Sequence, residues 1–194
     1  MIFEPTSIEG CWQVRIEPHV DERGFFARTW CRDEFAAADI PLTMVQTSVS
    51  INRLRGTLRG LHLARPPARE GKLVRCRRGR VHDVVLDLRP GSPTYLRHHA
   101  VVLDAGQHNA LYVPPGVAHG FQTLVDEAEV DYMMTEAYRP ELADGVRHDD
   151  PAFGIRWPLP VVCISEKDRL LPDFDAARLA LWYPAGENGD GHAA

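Results

Sequence analysis

Short runs of alternating apolar and polar positions fill the middle of the chain, and turn-forming residues break them at short intervals. A period of two marks strands with one buried face. It predicts strands over 44–51, 57–63, 72–76, 80–88, 98–103, 110–113, 118–124 and 129–138. The breaks carry turn chemistry, as in Arg89-Pro90-Gly91-Ser92-Pro93 and Pro114-Pro115-Gly116. Upstream, 11–16 and 25–30 flank Asp21-Glu22-Arg23-Gly24 and predict a hairpin, its glycine suited to a tight reversal. One helix is expected over 32–39, around Ala36, Ala37 and Ala38 and ending before Pro41, and another over 175–182. A sheet that closes on itself hides its edges. The expected fold is therefore all-β, a barrel or sandwich in a single domain over 1–184 with a few short peripheral helices. The Gly-rich polar stretch 185–194 is expected to be a disordered tail.

Composition removes several function classes. Hydrophobic residues make up 44% and charged residues 25% of the chain, the balance of an ordinary globular domain. No apolar run is long enough to span a bilayer, so no membrane partner is expected. Residues 1–10 lack the basic start and apolar centre of a signal peptide, and a cytoplasmic location is expected. A net charge of -5 opposes nucleic-acid binding, which needs a cationic surface. Arg75, Arg77, Arg78 and Arg80 would alternate between strand faces and are expected in solvent. Cys11, Cys31, Cys76 and Cys163 form no close pair and are expected to be reduced and buried.

Two segments resemble the paired motifs of the cupin superfamily, a double-stranded β-helix or jelly-roll barrel: Gly56 with His62, and Pro114-x-Gly116-x-x-His119. Metal-binding cupins place a second histidine two residues after the first, where strand alternation aims it at the same metal. Here that position is Ala64, so no metal and no cofactor are expected. What remains is a proton-transfer set: His62, Lys72, His119, Arg59 and Tyr132. An imidazole can take a proton from carbon next to a ketone, a fixed cation can stabilise the resulting enolate, and a phenol can return the proton to the other face.

A more specific resemblance joins several motifs in order: Asp21-Glu22-Arg23-Gly24-Phe25-Phe26, Leu58-Arg59-Gly60-Leu61-His62, Gly71-Lys72-Leu73-Val74, Val84-Val85-Leu86-Asp87-Leu88-Arg89 with Ser92-Pro93-Thr94, Ala118-His119-Gly120-Phe121 and Ser165-Glu166-Lys167-Asp168. Together they resemble the dTDP-4-dehydrorhamnose 3,5-epimerase family over nearly the whole chain. The resemblance implies an isomerase with His62 as proton acceptor, Asp168 as the residue that holds its imidazole, Tyr132 as proton donor and Lys72 on the enolate. It implies that Arg23, Arg59, His119 and Lys167 meet the diphosphate or sugar of a thymidine-linked substrate. It also implies that Tyr138 stacks on the base and that Gln46 belongs to the cleft. Family members are homodimers that exchange N-terminal strands, so Arg23 and Phe26 are expected to serve the partner's site.

The chain also departs from the family pattern. Arg28 stands where glutamate is common, Ser48 where asparagine is usual, Ala64 where glutamine usually follows, and Asp144 where glutamate is typical. These substrate-cleft positions leave open the exact sugar and whether one centre or two is inverted. Single residues also allow plainer readings. His119 could cap its turn, Lys72 could face solvent if the register slipped by one, and Asp168 could cap a short helix near Leu170. A single-centre 3-epimerase, a metal-dependent cupin enzyme and a silent sugar-binding module are the rival functions.

Overall fold

The computed structural model describes residues 1–40 and 43–183, so the expected tail over 185–194 lies outside the described residues. Two antiparallel sheets form the body. The six-stranded sheet runs β1 (Ile2–Pro5), β2 (Trp12–Arg15), β10 (Ala110–Val113), β7 (Lys72–Arg78), β12 (Ala128–Met134), β5 (Gln46–Asn52). The five-stranded sheet runs β13 (Ala143–Gly145), β6 (Leu58–Ala64), β11 (Val117–Thr123), β8 (Arg80–Asp87), β9 (His98–Asp104). From β5 onward successive strands cross from one sheet to the other, except that β8 and β9 pair as neighbours, the expected jelly-roll order.

Each sheet is covered on both faces near its middle, while Val49 and Ile51 of β5 stay exposed. Val74, Leu111 and Val130 of the larger sheet meet Val81, Val85 and Phe121 of the smaller one in the core between them. The outer face of the smaller sheet, with Leu61, Leu63, Val84 and Leu86, lies under Leu179 and Trp182 of α3 (Ala176–Trp182). On the larger sheet, Val14, Leu73 and Tyr112 pack with Phe35 of α1 (Arg32–Ala37). Such double burial explains the near-continuous apolar run through β8.

All eight strands expected from residue 44 onward are present, with ends moved by up to four residues; β12 stops at Met134, which leaves Tyr138 beyond it. The N-terminal hairpin differs more. It is the short pair β3 (His19–Asp21) and β4 (Gly24–Phe26), closed by an Arg23 N–H that donates to Asp21 Oδ1 at 2.9 Å. The strand expected over 11–16 pairs instead, as β2, with β1 and β10 because Val14 is drawn into the cluster around Phe35. Residues 27–30 form no strand. Cys11 and Cys76 are buried as expected, but Cys31 is half-buried and Cys163 exposed. The extended chain at Cys163 spends its carbonyl on Leu58 N–H at 2.8 Å, which leaves the thiol outside. Arg77, Arg78 and Arg80 are exposed as expected, while Arg75 is half-buried.

The loop after β8 shows why its residues occur together. Asp87 is fully buried and accepts hydrogen bonds from Arg89 Nε at 2.8 Å, Ser92 Oγ at 2.5 Å and Thr94 Oγ1 at 2.7 Å. Burial by itself would raise the Asp87 carboxyl, yet these donors outweigh it and hold the group below its ordinary value.

β6 and β11 approach backbone to backbone. A Cβ on Gly120 would stand 2.6 Å from the Arg59 carbonyl oxygen, and one on Gly60 would stand 2.6 Å from Gly120 Cα. Gly60 has φ of 117°, a conformation that side chains disfavour. At this point His62 pairs with His119 and Arg59 with Phe121, so three steps along β6 match two along β11. The extra residue is a β-bulge, and it turns Arg59 and His62 toward the same side despite their odd separation. A methyl at position 120 can be relieved only by moving backbone. Gly120→Ala is therefore expected to cost about 3 kcal/mol or more. Gly154→Ala, at φ of 61° with nothing within 4 Å of a built Cβ, should cost only about 1 kcal/mol. Urea denaturation of the two variants checks the difference.

Candidate active site

A cavity of about 480 Å³ opens between the sheets. Arg59, His62 and His119 enter it from the five-stranded sheet, Lys72 and Tyr132 from the six-stranded one, and Tyr138, Asp144, Lys167 and Asp168 line it from connecting segments and β13. The expected proton-transfer residues therefore share one space, with the imidazoles and the phenol on different sheets.

Asp168 sits in α2 (Glu166–Arg169), whose N-cap Ser165 accepts from the Asp168 backbone N–H at 3.0 Å. The carboxylate uses both oxygens. Oδ1 is 2.7 Å from His62 Nε2, and Oδ2 accepts the Gly60 N–H at 3.1 Å. It thus ties both sides of the bulge while orienting the imidazole, and His62 Nδ1 is the ring nitrogen left without a protein partner among the described residues. Burial would raise the Asp168 carboxyl, but its bonds to His62 and the Gly60 N–H hold it below the usual carboxylate value. The plainer reading, Asp168 as the cap of a short helix, does not hold: Ser165 caps the helix and Asp168 lies inside it, its carboxylate free for His62.

His119 is buried, and its Nε2 lies 2.8 Å from Oδ2 of fully buried Asp83. The His119 ring meets Tyr132 edge-on with centroids 6.0 Å apart. Burial pushes the Tyr132 phenol well above the ordinary tyrosine value, and the Asp83 carboxylate acts in the same sense. The phenol therefore stays protonated through the neutral range and can donate. Lys72 faces inward and pairs with Glu70 at 3.1 Å, which removes the solvent-facing alternative.

Most charges on the wall are matched. Glu70 pairs with Lys72, Glu136 with Arg139 at 2.8 Å, and Asp144 with Arg65 at 3.1 Å and with Arg178, which reaches it from α3. Arg59 donates from Nε to the neutral Asn52 Oδ1 at 2.7 Å, and neither it nor Lys167 has a carboxylate partner among the described residues. Those two cations give the cavity spare positive charge for an anion. Ala64 lines the wall where a second histidine would serve a metal.

Other expected contacts are only partly assembled in one chain. Tyr138 is 56% exposed at the rim, its N–H donating to Gln46 Oε1 at 3.0 Å. Gln46 Nε2 in turn donates to Ser48 Oγ at 3.3 Å, and Ser50, rather than Gln46 or Ser48, reaches the wall. Arg23, Phe26 and Arg28 do not line this cavity. Arg23 is held by Asp21, Arg28 by Glu34 at 3.0 Å, and Phe26 is 75% exposed on β4. Sequence reasoning missed Asn52, Glu70, Asp83, Arg65 and Arg178. Only Glu70, two residues before an inward lysine, left a readable signal.

Known proteins resemble this chain over most of its length. The profile described as dTDP-4-dehydrorhamnose 3,5-epimerase matches residues 5–176. A protein of that name from Methanothermobacter thermautotrophicus is 42% identical over 86% of this chain and 91% of its own length. A dTDP-4-dehydrorhamnose 3-epimerase from Streptomyces niveus is 38% identical over 96% and 87%. The crystal structure of a 4-keto-6-deoxy sugar epimerase from the novobiocin gene cluster of Streptomyces spheroides superposes with a TM-score of 0.87 at 37% identity, covering 94% of this chain and 92% of that one.

Removing the Asp168 carboxylate leaves the Gly60 N–H and the His62 imidazole without their acceptor. Asp168→Ala is expected to destabilise the protein at pH 7 by about 1–3 kcal/mol. Because the native carboxyl sits below its unfolded value, this contribution is complete above about pH 4 and is lost as the pH falls through the native value. Denaturant titrations of both proteins at pH 7 and pH 3 should show the gap shrinking.

Proposed function

The chain belongs to the dTDP-4-dehydrorhamnose 3,5-epimerase family, and from that membership we propose that it converts dTDP-4-dehydro-6-deoxy-D-glucose to dTDP-4-dehydro-L-rhamnose without a metal or cofactor. The carrying observation is a carboxylate-held imidazole in the same cavity as an inward ammonium and a protonated phenol from the opposite sheet. His62 Nδ1 takes the proton from the carbon beside the C4 ketone. The charge that the enolate places on oxygen falls to Lys72, and Tyr132 delivers a proton to the opposite face. Asp168 favours the imidazolium that forms. Arg59 and Lys167 take the diphosphate, His119 the sugar, and Tyr138 the thymine ring, with Gln46, Ser48 and Asp144 shaping the cleft.

The reading includes a homodimer. Every residue of β3 and β4 is exposed, Val20, Phe25 and Phe26 among them, and the hairpin pairs with neither sheet. Crossing to a second copy would cover these side chains and carry Arg23 and Phe26, with Arg28 nearby, to the partner's cavity. A cytoplasmic location fits four cysteines that form no disulfide. No described helix is long and apolar enough to cross a membrane. Inversion at C3 alone is a second reading, favoured by the Streptomyces niveus relative named as a 3-epimerase.

Incubation with dTDP-4-dehydro-6-deoxy-D-glucose in deuterium oxide tests both readings. Label at C3 and C5 is expected, whereas label at C3 alone would select the second reading and no label would refute both. His62→Ala should slow exchange by about 10²–10⁴-fold. Tyr132→Phe should retain exchange through His62 while losing most of the inversion, as nuclear magnetic resonance of the product would show.

A further inference from the structure

Glu70 is a cavity carboxylate to which neither the sequence motifs nor the proton-transfer steps give a task. It stands two residues before Lys72, so both side chains leave the same side of the chain as it enters β7. The segment between them is fixed. Gly71 donates its N–H to Thr135 Oγ1 at 2.8 Å and accepts the Thr135 N–H at 3.0 Å, while the Arg69 N–H donates to Glu136 Oε1 at 2.6 Å. The Glu70 and Lys72 side chains are only 10% and 8% exposed, and their charged ends are 3.1 Å apart. Neither forms another ion pair among the described residues.

We propose that Glu70 is a positioning residue for Lys72, aiming the ammonium at the enolate oxygen. The proposal rests on the epimerase reading. A lysine stem has four rotatable bonds, and a carboxylate held 3.1 Å from its ammonium narrows where the charge can lie. Glu70 is poorly suited to hold the substrate directly, because its charge opposes a diphosphate. Its influence should therefore fall on turnover rather than on binding.

Glu70→Gln keeps the shape and removes the charge. It is expected to lower kcat about tenfold with KM no higher than in the wild type. Affinity for thymidine diphosphate should be unchanged or slightly greater. In a Lys72→Met background, followed by deuterium exchange over long incubations, the added Glu70→Gln change should have no further effect, because it acts through the ammonium. Unchanged kcat in the single variant, a raised KM with kcat retained, or equal losses in both backgrounds would overturn the proposal. So would loss of folding in Glu70→Gln, seen as collapse of its melting transition, since that assigns the pair to stability. Absence of exchange by the wild-type protein is a different outcome, which removes the epimerase reading on which the proposal depends.

Discussion

The backbone contact between β6 and β11 at Gly60 and Gly120 is the constraint on which the site depends. It admits an extra residue into β6, and the bulge presents both Arg59 and His62 to the cavity. In a regular strand those two positions would face opposite ways. Asp168 then bonds the Gly60 N–H and the His62 ring together. One carboxylate thus satisfies a backbone donor freed by the bulge and orients the imidazole, so local geometry and chemistry are a single arrangement.

Covering on both faces of the middle strands gives that arrangement rigid support. Leu61 and Leu63, which alternate with His62, are held in the apolar cluster beneath α3. Arg178 of the same helix reaches Asp144 and stacks on Trp182 with its guanidinium carbon 4.8 Å from the ring centre. On the larger sheet, Leu73 packs under α1 while its neighbour Lys72 faces the cavity. Hydrophobic covering outside and charged chemistry inside are consequences of the same strand alternation.

The cavity wall carries many charges, most of them paired. Its carboxylates are spent on Lys72, Arg139, His62 and the Asp144 arginines. Enclosure makes such pairing obligatory, since an unpaired buried charge costs far more than a paired one. Arg59 and Lys167 stand apart from this pairing, and the enclosed Tyr132 phenol keeps its proton. The balance suits a reaction in which negative charge appears briefly on a sugar oxygen while a diphosphate anchors the substrate.

The sequence by itself determined the all-β class, the middle strands and the two helices over Arg32–Ala37 and Ala176–Trp182, and its motifs singled out His62, Lys72, Tyr132 and Asp168, which line one cavity, because strand periodicity and motif order are local properties of the chain. Tertiary structure decided which residues meet. Asp168 lies 106 residues from His62, a pair that the family resemblance implied but no local pattern shows, and Asp83 lies 36 from His119 with nothing in the sequence to announce it. Alternation reports the face of a residue only in an unbroken strand, so the bulge that brings Arg59 beside His62 was not legible. The N-terminal hairpin failed for a related reason: Val14 is claimed by a distant apolar cluster, and a turn closed by Asp21 cannot reveal which strands it will join.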